Sequence, residues 1–492
     1  MGSLLNFIFT CKPFGDLEVA AMEEEREDDC AIQHHSSSNS MAPALIALHP
    51  HAHCVVVAVG AGLRIFDLKN NIPITTKDDI KHIGHGGVIR ALKFEKEGKF
   101  LATAGDDKKV KFWNTRSFQC IKTIHSSKKV SAITFSHCSQ YLMFADKFGV
   151  VYVVAIKITE EGDENINPEP VQLFGHCCSI ITGLECSPEM KFVISSDRDF
   201  KIRVSDFPKE PTLGAHEIHT FCLGHTNFVS CVAFLGKDEG KALLVSGGGD
   251  STIRLWDYQT GNLHDTFVIT MLTEQSGSCE ESNGTKSTAS VVGMAVAPSG
   301  SVLAALSERL EGVLLLRCDF LAKKLIFMQK LLFEEHTCPT SLQFDQAGNI
   351  WVVAGAAATI DLGDHVLTPE EITMAETKAQ AFSLAAFARV IIVRSTVAIS
   401  PTDHLHARVD GSHYASIQDK DVPGGERLLS TLQGSQADLT IAMCAAEAAK
   451  LSMKNLLSKR QFSFEQRELR KCKRSDRILK GSKHNSLQPE TL

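Results

Sequence analysis

Residues 224–257 read GHTNFVSCVAFLGKDEGKALLVSGGGDSTIRLWD. After Gly224-His225, apolar and polar residues alternate through Val229, Cys231, Ala233 and Leu235, the period-two pattern that a pleated strand imposes. A second apolar run, 242–245, meets the turn cluster Ser246-Gly247-Gly248-Gly249-Asp250, and a third strand, 252–257, follows at once. Three short antiparallel strands therefore fill one unit. Such a unit cannot bury both faces of its own sheet, so it requires neighbours.

A Gly-His start and a Trp-Asp end, in a unit of about 40 to 45 residues, are the signature of a WD-repeat propeller blade. Reading outward from this blade, the fifth, the pattern recurs. Blade one has apolar runs at 44–47 and 55–59 and closes on Gly62-Leu63-Arg64-Ile65-Phe66-Asp67, without a tryptophan. Blade two runs from Gly84-His85 to Phe112-Trp113-Asn114, and blade three, lacking Gly-His and Trp, from Val130 to Val154. Blade four runs from Gly175-His176 to Lys201-Ile202-Arg203-Val204-Ser205. Blades six and seven are weaker, at 291–316 and from Ser341. Asp107, Asp199 and Asp250 occupy equivalent turns and are assigned to holding their blades.

The expected fold is all-β, a seven-bladed WD-repeat β-propeller with a disordered N-terminal leader and a basic C-terminal helical tail. Residues 1–40 form the leader, because the run Glu23-Glu24-Glu25-Arg26-Glu27-Asp28-Asp29 combines like charge with low hydrophobicity. The propeller is placed at 41–400, with an insertion at about 355–382 in blade seven, where Thr368-Pro369-Glu370-Glu371 starts a helix. Residues 388–393 then supply that blade's third strand, and 44–47 its fourth, closing the ring. A linker, 401–435, leads to a tail at 436–492 with a helix from Asp438.

Composition narrows the function. The fifteen cysteines are odd in number and scattered without C-x-x-C spacing, the usage of reduced core residues in an intracellular protein. No secretory leader, myristoylation pattern or membrane span is recognised, so no membrane partner is expected. Net charge is −7, yet residues 450–480 carry eleven Lys or Arg against three acids. An acidic body with a basic tail is the asymmetry of a segment that meets phosphate, or of a solvated or nuclear-import tail.

No phosphate loop, nucleophile elbow or H-E-x-x-H motif is present, and Gly247-Gly248-Gly249 is a tight turn between strands. The histidines at 34, 35, 49, 51, 53, 404, 406 and 413 have no defensible ligand spacing. No metal or cofactor is expected, and the chain reads as a binding scaffold.

Finer detail points to one family. Ala145-Asp146-Lys147-Phe148-Gly149, then Gly175-His176, then Ser196-Asp197-Arg198-Asp199-Phe200-Lys201-Ile202-Arg203-Val204-Ser205, then the run 221–230, FCLGHTNFVS, resemble the non-catalytic WD-repeat subunit of eukaryotic tRNA (guanine-N7-)-methyltransferase. The resemblance implies a subunit without methyltransferase activity. Such a subunit binds and stabilises a separate S-adenosylmethionine-dependent catalytic subunit, which methylates a guanine of the tRNA variable loop. It makes Lys201 and Arg203 the partner-binding pair, with Asp197 and Arg198 shaping the turn beside them. Strand alternation agrees, since Ile202 and Val204 facing the interior put Lys201 and Arg203 on the other face. Lys111 and Arg254 hold the equivalent place in blades two and five, so pattern alone favours an ordinary solvated strand residue, and the resemblance decides for the partner. Lys459, Arg460, Arg470, Lys471, Lys473 and Arg474 are then candidate tRNA contacts, and the same cluster suits nuclear import, so a nuclear location is expected. The alternative is a general WD-repeat interaction module, such as a ubiquitin-ligase substrate receptor or a chromatin scaffold.

Overall fold

The structure, a computed structural model, describes residues 40–75, 84–156, 169–176, 179–215, 217–236, 242–269, 289–308, 310–333, 337–359, 387–395 and 414–433. Residues 1–39 of the expected leader, the insertion helix at 368–382, the tail helix and all six candidate tRNA-contact residues lie outside them, while Ser40, expected in the leader, opens a strand.

The described strands form seven antiparallel sheets, one per blade. Six are four-stranded meanders in chain order, and the inner strands of successive blades are neighbours around a central channel. In blade four the order from the channel outward is Ile181–Cys186, Phe192–Asp197, Lys201–Asp206 and Ile218–Leu223. Blade five repeats it with Val229–Leu235, Leu243–Gly248, Thr252–Asp257 and Asn262–Val268.

Burial follows from stacking blade on blade. A second strand such as Cys54–Val59 or Phe100–Gly105 is buried at every residue, because both of its faces meet a neighbouring blade. The core accordingly divides into seven apolar clusters between blades. Val130, Ile133 and Phe144 of blade three meet Phe100, Phe112 and Ile124 of blade two, while Ile202, Val204 and Cys222 of blade four meet Val229, Leu244 and Trp256 of blade five. At about 25 cal/mol per Å2 of apolar surface, this is the main stabilising term.

Ring closure differs from the expectation. Residues 44–47 do not supply the fourth strand of blade seven, because Leu45–Leu48 is the inner strand of blade one. It lies beside the inner strand of blade seven, where Ile46 N donates to Ser341 Oγ at 3.3 Å and Leu48 N to Gln343 Oε1 at 2.6 Å. The fourth strand is Tyr414–Ser416, paired with Phe387–Ser395, and Ser40–Pro43 runs along the far half of Ile350–Thr359. Both flanks of the propeller thus meet in one blade.

The expected linker at 401–435 is therefore propeller structure from Tyr414 to Gln433. Its helix, Gly425–Gln433, buries Leu428, Leu429 and Leu432 between blades seven and one. Arg64 donates to the Leu432 and Gln433 carbonyls at 3.0 and 2.7 Å, capping the helix end with a cation where the macrodipole favours one. Arg389 grips Asp419 through two bonds of 2.8 Å.

Candidate partner-binding site on blade four

Blades two and five share a polar chain that fixes the turn between second and third strands. In blade five, Trp256 Nε1 donates to Ser246 Oγ at 2.8 Å, Ser246 Oγ lies 2.7 Å from His225 Nε2, and His225 Nδ1 lies 2.9 Å from Asp250 Oδ2. The hydroxyl accepts from tryptophan, so its own hydrogen is left for Nε2, and Nδ1–H donates to the carboxylate. Blade two repeats the arrangement with Trp113, Thr103, His85 and Asp107. Hydrogen bonds from these histidines hold both carboxyls low despite burial, Asp250 at about 2.

Blade four departs from this at two positions. Ser205 stands in the tryptophan place, and the acid is Asp197 rather than Asp199. His176 Nδ1 lies 3.0 Å from Asp197 Oδ2 and its Nε2 2.8 Å from Ser195 Oγ. The expected role of Asp199 is corrected accordingly, for a steric reason. Asp197 pairs with Ile181 as Gly248 pairs with Val229, and a Cβ at Gly248 would come within 2.7 Å of His225 Nδ1 and 2.8 Å of Asp250 Oδ1. One carboxylate fits beside each histidine, and in blade four Asp197 already fills the place. Its other oxygen accepts the Lys201 N–H at 3.1 Å, so it also sets the turn. Asp199 is left to the turn itself, 3.6 Å from Arg198 Nε.

The space beside Ser205 is taken by Arg203. Its Nε donates to Ser205 Oγ at 2.8 Å, its NH1 donates to the Gly175 carbonyl at 3.0 Å, and the guanidinium sits 4.6 Å over the Phe174 ring. Burial pushes its pKa below the usual arginine value. The expectation that Arg203 is freely available is thus corrected. It is 8 % exposed, a cation held in place within the wall of the site, whereas Lys201 is exposed on the same face.

Cross-strand pairing completes that face. Lys201 stands opposite Leu223 and Arg203 opposite Phe221, while Ile202 and Cys222 form the buried pair between them. Leu223 is 61 % exposed and Phe221 38 %, and Phe200 at the turn is 42 % exposed. Phe200 has φ +72°, in the left-handed region where blade three uses Gly149 at +90°. Backbone strain here presents an aromatic ring to solvent. The arrangement suits a partner that offers carboxylates to the cations and apolar side chains to this rim. The outer strand IHTFCL carried a legible signal for it, because four of its six residues are apolar and only Cys222 among them is buried.

The histidines at 49, 51 and 53 lie in a turn, as expected. His49 has both ring nitrogens occupied, by the Gly98 carbonyl at 2.9 Å and the His51 N–H at 3.0 Å. Burial and His53 push its pKa down. Among the described residues no group of three or more His, Cys, Asp or Glu is disposed to hold a metal ion, and no helix is long and apolar enough to cross a membrane.

Residues 158–359 match the family described as the tRNA methyltransferase TRM82 WD40 domain, and 78–114 match the WD domain, G-beta repeat. A Dictyostelium discoideum protein named tRNA (guanine-N(7)-)-methyltransferase non-catalytic subunit is 34% identical over 195 residues, 37% of this chain and 40% of that protein. Its Xenopus laevis namesake is 32% identical over 270 residues, 54% of this chain and 62% of that protein. The chain thus spans about half the length of these relatives. The solved WD40 repeats of RRP9, at 18% identity and a TM-score of 0.51, cover 66% of this chain and 89% of theirs, a likeness of fold alone. The matched segment includes blades four and five whole, and over it the propeller is similar to the WD-repeat domains of the tRNA (guanine-N(7)-)-methyltransferase non-catalytic subunits.

Proposed function

We propose that this chain is the non-catalytic scaffold subunit of a tRNA (guanine-N7-)-methyltransferase, which binds and stabilises a separate catalytic subunit through blade four. One observation carries the reading. Within the matched segment, blade four has Ser205 where blade five has Trp256, and there it holds Arg203, buried against Ser205 and Phe174, under a basic and apolar rim. Stability alone gives no reason for that exchange, whereas a docking surface does.

In this reading the chain binds no cofactor, and S-adenosylmethionine belongs to the catalytic subunit. That subunit forms N7-methylguanine in the tRNA variable loop. The basic residues Lys459, Arg460, Arg470, Lys471, Lys473 and Arg474 add sequence-independent contacts to tRNA phosphate, and the complex works in the nucleus.

Reconstitution tests this. The catalytic subunit, expressed alone and with this chain, is assayed for guanine-N7 methylation of tRNA. The expected result is a stable one-to-one complex and activity that depends on this chain. Full activity without it, or recovery of unrelated partners only, would assign the propeller to general WD-repeat scaffolding instead.

A further inference from the structure

The turn 49–53, between the first two strands of blade one, gathers three imidazoles beside the equivalent turn of blade two. His49 is the buried member, and Gly98 makes room for it, since a Cβ there would come within 2.4 Å of the ring. Its Nε2–H donates to the Gly98 carbonyl and its Nδ1 accepts the His51 N–H, so tautomer and orientation are both fixed. Phe94 meets the ring edge to face at 5.5 Å, and His53 stacks on it with centroids 4.7 Å apart and planes 22° apart. His53 is exposed, and the His51 ring stands beside it at 6.1 Å. The outcome is an aromatic platform, held from beneath by the core and open to solvent.

The platform lines a cavity of about 430 Å3 between blades one and two, within the size range of small-ligand sites. Lys69, Lys99 and Arg116 line it too, all exposed and none in an ion pair among the described residues. Two carboxylates share the lining, Asp67 and Glu97, so cations outnumber acids by three to two. Asp67 is closed into its own turn, where it accepts the Lys69 N–H at 2.8 Å, the Asn70 N–H at 2.9 Å and the Asn70 side-chain amide at 2.7 Å. A bare anion would use the cations and leave the rings idle, and an apolar side chain would do the reverse. A nucleotide uses both, with its base on the ring and its phosphate among the cations.

We infer that this cavity binds one nucleotide unit, with the base stacked on His53 and the phosphate held by Lys69, Lys99 and Arg116. The inference uses no residue of blade four or of the basic tail, so it stands or falls apart from the docking reading.

The test is calorimetry on the full chain with adenosine 5′-monophosphate, adenosine and inorganic phosphate as probes. The wild type is expected to bind the nucleotide saturably and each of its two halves about tenfold more weakly or worse. His53→Ala/Arg116→Ala should weaken nucleotide binding about tenfold or more at an unchanged thermal midpoint, whereas His53→Phe, which keeps a ring, should stay within about threefold of wild type. Lys324→Ala, an exposed lysine of blade six, should leave binding unchanged. If the double variant does not fold, Lys99→Ala alone should weaken binding by about threefold or more. Competition with single-stranded hexa-adenylate identifies the source of the nucleotide, since displacement assigns the site to a nucleic-acid strand and its absence to a free nucleotide. The inference is overturned if the wild type does not bind the mononucleotide saturably, if inorganic phosphate binds as tightly, or if the folded variants bind as well as wild type does.

Discussion

Blades four and five are built to one plan, yet they spend their polar residues differently. Blade five closes its turn with tryptophan, serine, histidine and aspartate in a buried chain. Blade four keeps the histidine and serine, bonds the histidine through an aspartate two residues earlier, and turns Arg203, whose counterpart in blade five is Arg254 bonded to Thr252, onto the serine that replaces tryptophan. The first is organised for stability. The second keeps enough of that chain to hold its turn, and presents Lys201, Phe200, Phe221 and Leu223 at the surface. In the proposed reading, that difference marks the docking surface.

The contrast can be broken by substitution. The largest effect is expected from Trp256→Ala, which empties a fully buried site and removes the N–H donor to Ser246, at a cost of about 3–5 kcal/mol by denaturant unfolding. An equal cost from Ser205→Ala would erase the distinction. Next, Asp250→Ala should cost about 2 kcal/mol, because it removes the partner of a buried histidine, whereas Asp199→Ala should cost less than about 1 kcal/mol. In blade four the larger loss moves to Asp197→Ala.

Acid titration sharpens the point. The folded carboxyl of Asp250, at about 2, lies below its ordinary value of 3.8. A depressed acid contributes stability that is present above the unfolded pKa and lost as pH falls through the folded one. Asp250→Asn should therefore flatten the fall in stability between about pH 4 and pH 2. A slope there as steep as in the wild type would contradict the assignment.

The smallest effect on stability concerns the rim. Phe200→Gly relieves a positive φ while removing an exposed ring, so the thermal midpoint should stay level or rise, by less than about 1 kcal/mol in stability. Binding of the proposed partner should weaken all the same. A fall in stability with unchanged binding would make Phe200 a structural residue.

Much of this architecture was legible in the residues. Period-two alternation and the Gly-His and Trp-Asp marks place the strands of blades two, four and five, because each mark is a buried hydrogen-bonding group with one partner to find. Ring closure was not legible. Residues 44–47 are apolar and extended in either role, and only contacts across some 295 residues, such as Ile46 to Ser341, decide which blade they join. The strand Tyr414–Ser416 is three residues long, too short for periodicity to show.

At the candidate site, alternation placed Lys201 and Arg203 on one face correctly but could not give their depth. Arg203 is buried because Phe174 and the Gly175 carbonyl of blade three reach across to it, a contact that no local pattern encodes. Asp197 and Asp199 are two residues apart and chemically alike. The choice between them rests on one atom's worth of space beside His176, which the glycine at 248 reveals only in three dimensions.

The central claim is that blade four is the docking surface, and its most direct test is the affinity of the purified catalytic subunit for this chain, measured by calorimetry for wild type and for Lys201→Glu/Leu223→Asp. Both side chains are exposed, so circular dichroism and the thermal midpoint should match the wild type. The account predicts binding weakened about a hundredfold or more in the variant. Wild-type affinity in a folded variant would contradict it and move the interface to another face of the propeller.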